Sequence, residues 1–143
     1  MKIIREQAKG QSAADLLDLL KNPKPLLTRV GQMMVDATVG RIVAVKEDPQ
    51  GKPWAPWAPS TARARERAGT ASRGILYNTG ALASSIYFTI NDKSVSVSSS
   101  APYAEYLQNG TPKMPARPFL GIGEGEQDAI HTYMQNAFRG RKP

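Results

Sequence analysis

Apolar residues follow helical spacing in the first third of the chain, alternate in its middle, and return to helical spacing at the end. Ala13, Leu16, Leu17 and Leu20 recur at helical intervals behind Ser12-Ala13-Ala14-Asp15, a capping-box form with Asp in place of the usual Glu. A short first helix is therefore expected, ending near Lys21 where Asn22-Pro23-Lys24-Pro25 breaks it. Pro25 suits the first turn of a second helix, where the N–H it lacks would have no partner. Leu26, Leu27, Val30, Met33, Met34 and Ala37 form the apolar stripe of that helix. From Val39 onward the stripe fails, because Val39, Ile42 and Val43 fall opposite Leu26 while Arg41 falls inside the stripe. Either the helix runs on to about Lys46 and is covered on a second face, by a neighbouring subunit for instance, or this β-branched run is a strand. The long helix is preferred, since Gly40 alone interrupts it.

The alternating region is a hairpin pattern. Ile86, Phe88 and Ile90 alternate with Tyr87 and Thr89, and Val95 and Val97 alternate with Ser94, Ser96 and Ser98. A two-residue turn at Asn91-Asp92 would pair Phe88 with Val95 and Ile86 with Val97, gathering the apolar side chains on one face. Two strands alone are unstable in water, so the long helix, further strands or a partner's sheet must cover that face. Tyr103 to Gln108 then fits a short helix closed by Asn109-Gly110, and Ile130, Tyr133, Met134 and Ala137 mark a last helix with Gly140 past its end. The expected fold is α+β: a long N-terminal helix packed on a small antiparallel sheet containing the hairpin, with a C-terminal helix and a long basic loop.

Length and composition fit that picture. A chain of 143 residues is one domain by the usual length prior, here 1–143, with a long loop over 48–77 and a basic tail over 139–143. Cysteine is absent, which removes disulfides, thiolate metal sites and cysteine nucleophiles together. Neither the basic start from Met1 to Lys9 nor any later window reads as a secretory or membrane-spanning segment, so a cytosol-like compartment and no membrane contact are expected. The net charge of +7 favours encounters with nucleic acid or an acidic protein surface.

The 48–77 loop concentrates that charge. It repeats a Trp-Ala-Pro unit at Trp54 and Trp57 and then carries Arg63, Arg65, Arg67 and Arg73. Arginine beside aromatic rings can bind phosphates and stack on bases, so these six residues are candidate contacts for DNA or an acidic partner. Arginines at every second position do not line one helix face, and no recognised DNA-binding motif accompanies them. The alternative is a solvated arginine face with the tryptophans tucked onto the domain.

Catalysis lacks the residues it needs. His131 is the single histidine and lies off the apolar face of the last helix, so neither a histidine base nor a common zinc set can be assembled. Asp15 with Asp18, and Glu124 with Asp128, read as solvated faces rather than carboxylate dyads. Gly121-Ile122-Gly123-Glu124-Gly125 is glycine-rich, but Glu124 and Glu126 would repel a phosphate there, and a flexible entry to the last helix is the better reading. No enzyme activity, metal or cofactor is expected.

The most specific stretch is Pro115-Ala116-Arg117-Pro118-Phe119-Leu120-Gly121. Two prolines stiffen the backbone around one cation, a ring follows, and Gly121 releases the chain. Such an arm either presents Arg117 and Phe119 to another surface or plugs the chain's own core with Phe119 and Leu120.

Several separated stretches, in order, resemble the phage virion morphogenesis proteins, also described as tail completion or neck proteins of tailed bacteriophages. They are Gly51-Lys52-Pro53-Trp54-Ala55-Pro56 with Ser60-Thr61-Ala62, then Leu76 with Thr79-Gly80-Ala81-Leu82 and Ser85. Tyr103-Ala104 with Leu107-Gln108-Asn109-Gly110 and the Pro115 to Gly121 arm complete the set. Leu107 departs from the histidine common in the family before the glutamine, and the small-residue run Gly69 to Gly74 is a second departure. The resemblance implies a structural, non-catalytic protein that finishes or joins the tail near the head. It would act as a homo-oligomeric ring, a hexamer before other orders, alongside other tail, terminator or connector proteins and around passing DNA. Its place would be the virion tail or neck, assembled in the bacterial host cytoplasm. The interface candidates are Arg117, Pro118, Phe119, Leu120, Val39, Ile42, Val43, Tyr103 and Gln108. The competing reading is a basic DNA-binding accessory protein that uses the Trp54 to Arg73 loop.

Overall fold

Leu26, Val30, Thr38 and Ile42 are all buried and lie on one i+4 series, and that series lays out the main layer of the molecule. Each i+4 step in an α-helix advances about 40° around the axis, so the buried stripe winds around the helix instead of running straight along it. The computed structural model describes residues 13–140; Ser12 of the expected cap, the basic start, and Arg141 and Lys142 of the tail lie outside the described residues. Helix α1 spans Ala13–Lys21, and α2 spans Lys24–Gly40 with Pro25 in its first turn. A π-helical turn, Arg41–Val45, extends α2, closed by a Lys46 N–H to Arg41 carbonyl bond of 2.9 Å. Lys46 then takes a left-handed conformation with φ of 63° and ends the helix. The long helix to about Lys46 is thus present, and the strand alternative for that run is not.

The face around Ile42 is covered by the protein's own chain. Ile42 is fully buried in a core with Trp54, Leu82, Ile86, Ala104 and Phe119, and Val39 packs against it. The expectation that Val39, Ile42 and Val43 form one subunit-facing patch is corrected accordingly: Val43 remains exposed, and Ile42 does not. The physical reason is the winding stripe, whose first half meets the hairpin and whose last turn meets the residues after Gly110.

The hairpin pairs β1, Ile86–Asn91, with β2, Ser94–Ser99, antiparallel. Its turn is Asp92-Lys93, so Phe88 faces Val97 and Ile90 faces Val95. The expected register is therefore shifted by two residues. A shift of two keeps every side chain on its face, and it gives Ile90 an apolar partner in place of Lys93. Helix α2 lies against both strands, and at Gly31 the approach is close: a Cβ there would fall 2.4 Å from the Phe88 ring.

Helix α3 spans Pro59–Arg67 and buries none of its residues; a 3-10 turn, Ala71–Arg73, follows. Short helices α4, Ala81–Ser84, and α5, Ala104–Asn109, flank the hairpin, and α6, Glu124–Phe138, closes the described chain. The fold is α+β, with a long helix on a two-stranded antiparallel sheet and a C-terminal helix.

Candidate functional site

Four stretches far apart in sequence meet at the arm after α5. Gly110 ends α5 with φ of 75°, and a Cβ on it would lie 2.7 Å from the Ala116 nitrogen, so glycine serves both the conformation and the close approach. A tight reversal at Thr111–Met114 sends the chain back along α5. The Arg117 N–H donates to the Leu107 carbonyl at 2.7 Å. Gln108 Oε1 accepts from the N–H groups of Phe119 and Leu120, each at 3.0 Å, while its Nε2 donates to the Leu120 carbonyl at 3.1 Å. One amide side chain thus replaces a missing strand partner.

The two preceding arm carbonyls are also satisfied. Trp54 Nε1 donates to the Pro118 carbonyl at 2.7 Å, and Arg41 Nη1 donates to the Phe119 carbonyl at 2.6 Å. Arg41, only 4% exposed, also pairs with Glu126, whose other oxygen accepts from the Gly123 N–H at 3.0 Å and caps α6. The same guanidinium therefore ties α2 to the arm and to the last helix. Arg117 donates through Nε to the Ala55 carbonyl at 2.8 Å and through Nη2 to the Pro56 carbonyl at 2.7 Å. Burial lowers its pKa from the ordinary arginine value, since desolvation disfavours the charged form.

Burial separates the two readings of the arm. Phe119 is fully buried and Arg117 is 6% exposed, so the arm plugs the chain's own core. Within a single chain neither is accessible as an anchor, Pro118 and Leu120 are half-buried, and Gln108 is spent on the arm itself. Of the interface candidates, Val43 and Tyr103 remain exposed, at 46% and 42%.

The basic loop divides as well. Trp54 is buried, and Trp57 is half-buried with the Arg65 guanidinium over its ring at 5.1 Å. Arg65 also donates to Asn78 Oδ1 at 2.7 Å, and Arg73 to the Asn78 carbonyl at 2.5 Å. These contacts fasten the loop to the segment before α4. Arg63 and Arg67 stay exposed, one helical turn apart on α3. Lys46 donates to the Ile42 carbonyl at 2.6 Å and the Ile75 carbonyl at 3.0 Å, and its pKa is lowered, first by burial and then by the nearby Arg65.

Three of the stretches in this knot belong to the pattern whose resemblance is read from the sequence: Trp54-Ala55-Pro56, Leu107 to Gly110, and Arg117 to Gly121. The family model described as "Phage virion morphogenesis family" matches residues 5–139. The chain belongs to the phage virion morphogenesis family. No curated protein and no solved structure matches it. The family ties the protein to the building of the phage virion. Among the described residues no group of three or more His, Asp or Glu side chains is placed to hold a metal. Arg41, Lys46 and Glu126 carry more of the site than sequence reading assigned them. The signal for Arg41 was a lone cation inside an apolar stripe; for Glu126 there was none, since its partner lies 85 residues away.

Proposed function

We propose that the protein is a structural component that completes the phage tail or the head–tail neck, as a homo-oligomeric ring at the head-proximal end of the tail. The observation that carries this reading is apolar surface left uncovered on a chain of a virion-building family. Val43, Val45 and Ile122 are exposed at 46%, 58% and 46%, and Val45 and Ile122 line one groove of about 820 Å³ between the end of α2 and the start of α6. Leu17 and Leu20 of α1 are likewise exposed, at 53% and 67%. Surface of this kind is what a closed assembly buries. A hexamer is the proposed order, with tail, terminator or connector proteins as neighbours and the virion tail or neck as its location.

Light scattering across a concentration series, alone and with tail-tube or connector proteins, tests the reading. A ring of defined mass supports it, and a strict monomer under every condition defeats it.

The DNA-binding reading has narrower support. With Trp54 in the core and Arg65 and Arg73 donating to Asn78, Arg63 and Arg67 are the loop arginines with no partner outside α3.

A further inference from the structure

Two grooves of opposite charge lie on this chain and share no lining residue. The first, described above, is rimmed by Glu47, Asp48 and Glu124, and its arginine, Arg41, is already paired with Glu126. The second, of about 380 Å³, is floored by Leu76, Leu82 and Leu107, walled by Trp57 and Tyr103, and reached by Arg65 and Arg117. No carboxylate lines it among the described residues, and Arg117, more than nine-tenths buried, meets only the carbonyls of Ala55 and Pro56. A buried cation without a counter-charge is costly to keep, and a carboxylate delivered from outside would offset that cost.

On the rim of the first groove, Ile122 and Glu124 are both exposed and stand two residues apart at the entry to α6. A ring requires a head-to-tail contact between two different patches, because identical patches facing each other close as a dimer. The chain offers such a pair: an apolar side chain next to a carboxylate, and an apolar pocket next to two guanidinium groups.

We propose, building on the ring reading above, that Ile122 and Glu124 of one copy dock into the Trp57–Tyr103 pocket of the next. Ile122 covers the apolar floor, and the Glu124 carboxylate approaches Arg65 and Arg117. Desolvation strengthens that attraction.

The absence of cysteine permits a direct test. The full-length double variant Ile122→Cys/Tyr103→Cys, treated with a short bismaleimide, should give a ladder of linked chains that stops at the ring size. Each single variant should stay unlinked. Adding Glu124→Lys should abolish the ladder while circular dichroism stays that of the parent. An oligomer by light scattering that gives no ladder, or one that links through a single variant, overturns the assignment of faces and leaves the ring reading standing. A monomer by light scattering under every condition, with tail proteins present, overturns both.

Discussion

Gln108 holds the backbone of Leu120 from both sides, accepting its N–H at 3.0 Å and donating to its carbonyl at 3.1 Å. A strand neighbour would make the same two bonds, so one side chain substitutes for an edge that the two-stranded sheet does not extend to reach. The arm is irregular backbone, and without Gln108 its polar groups would face the core unpaired.

Replacing Gln108 by Ala should therefore destabilise the protein by about 2–4 kcal/mol, since buried donors and acceptors left unpaired cost about 1–3 kcal/mol each and water will reach some of them. Gln108→Glu keeps the two acceptor contacts and loses the donor, so it should fall between wild type and Ala. Urea midpoints at matched m-values measure both. Equal midpoints for wild type and Gln108→Ala would contradict the role given to this amide.

Phe119→Ala should cost about 3–5 kcal/mol, the usual range for removing a fully buried ring, and should lower the melting temperature of the isolated chain. Phe119→Leu should cost less. Were Phe119 a subunit clasp, the alanine variant would keep its melting temperature in dilute solution and lose only assembly.

The elements were legible where the pattern is local, and illegible where the partner is distant. Alternation at Ile86 to Ile90 and Val95 to Val97 defines the hairpin, but alternation has period two, so it cannot choose between registers that differ by two residues. The stripe of α2 is legible as far as Ala37. Past that point it winds onto Ile42, and what covers Ile42 is Phe119 and Trp54, far along the chain. The stiffness of the Pro115 to Gly121 arm is written in its prolines. The direction of Phe119 is not, because Arg41, Trp54 and Gln108 set it from three other segments.

Gly31 offers a test of how tightly helix and hairpin meet. A methyl group at that position would stand 2.4 Å from the Phe88 ring, so Gly31→Ala should destabilise by about 1–3 kcal/mol despite alanine's better helix propensity. Phe88→Leu removes part of the ring and frees space. In the double variant the two losses should therefore not add, and a thermal-denaturation double-mutant cycle would show it. Full additivity would mean that the two residues do not press on each other.

Lys46 should give stability an alkaline dependence. Its folded pKa is lowered from the ordinary 10.5, so between the two values the unfolded chain holds a proton that the folded chain lacks. Stability from this group consequently rises as pH climbs through that window, and the cost of burying the charge is borne in full below it. The difference in urea midpoint between wild type and Lys46→Met, which has no titrating group there, should move in favour of wild type as pH rises. A flat difference would place the ammonium in a water-like setting.

Nucleic-acid binding by the basic loop should be weak and shallow in its salt dependence. Each phosphate neutralised on duplex DNA contributes about −0.9 to the slope of log affinity against log salt. With Arg65 over Trp57 and Arg73 on Asn78, Arg63 and Arg67 are the loop arginines with no partner outside α3, and those two supply a slope of about −2. Arg63→Ala/Arg67→Ala should remove that slope and change stability by less than about 0.5 kcal/mol, since both side chains are exposed. Arg65→Ala, by contrast, should loosen the loop and lower stability, because its guanidinium holds Asn78 and covers Trp57. Filter binding on duplex DNA from low to moderate salt measures the slope. A value several times steeper would require contacts beyond these two arginines and would return the DNA-binding reading to the front.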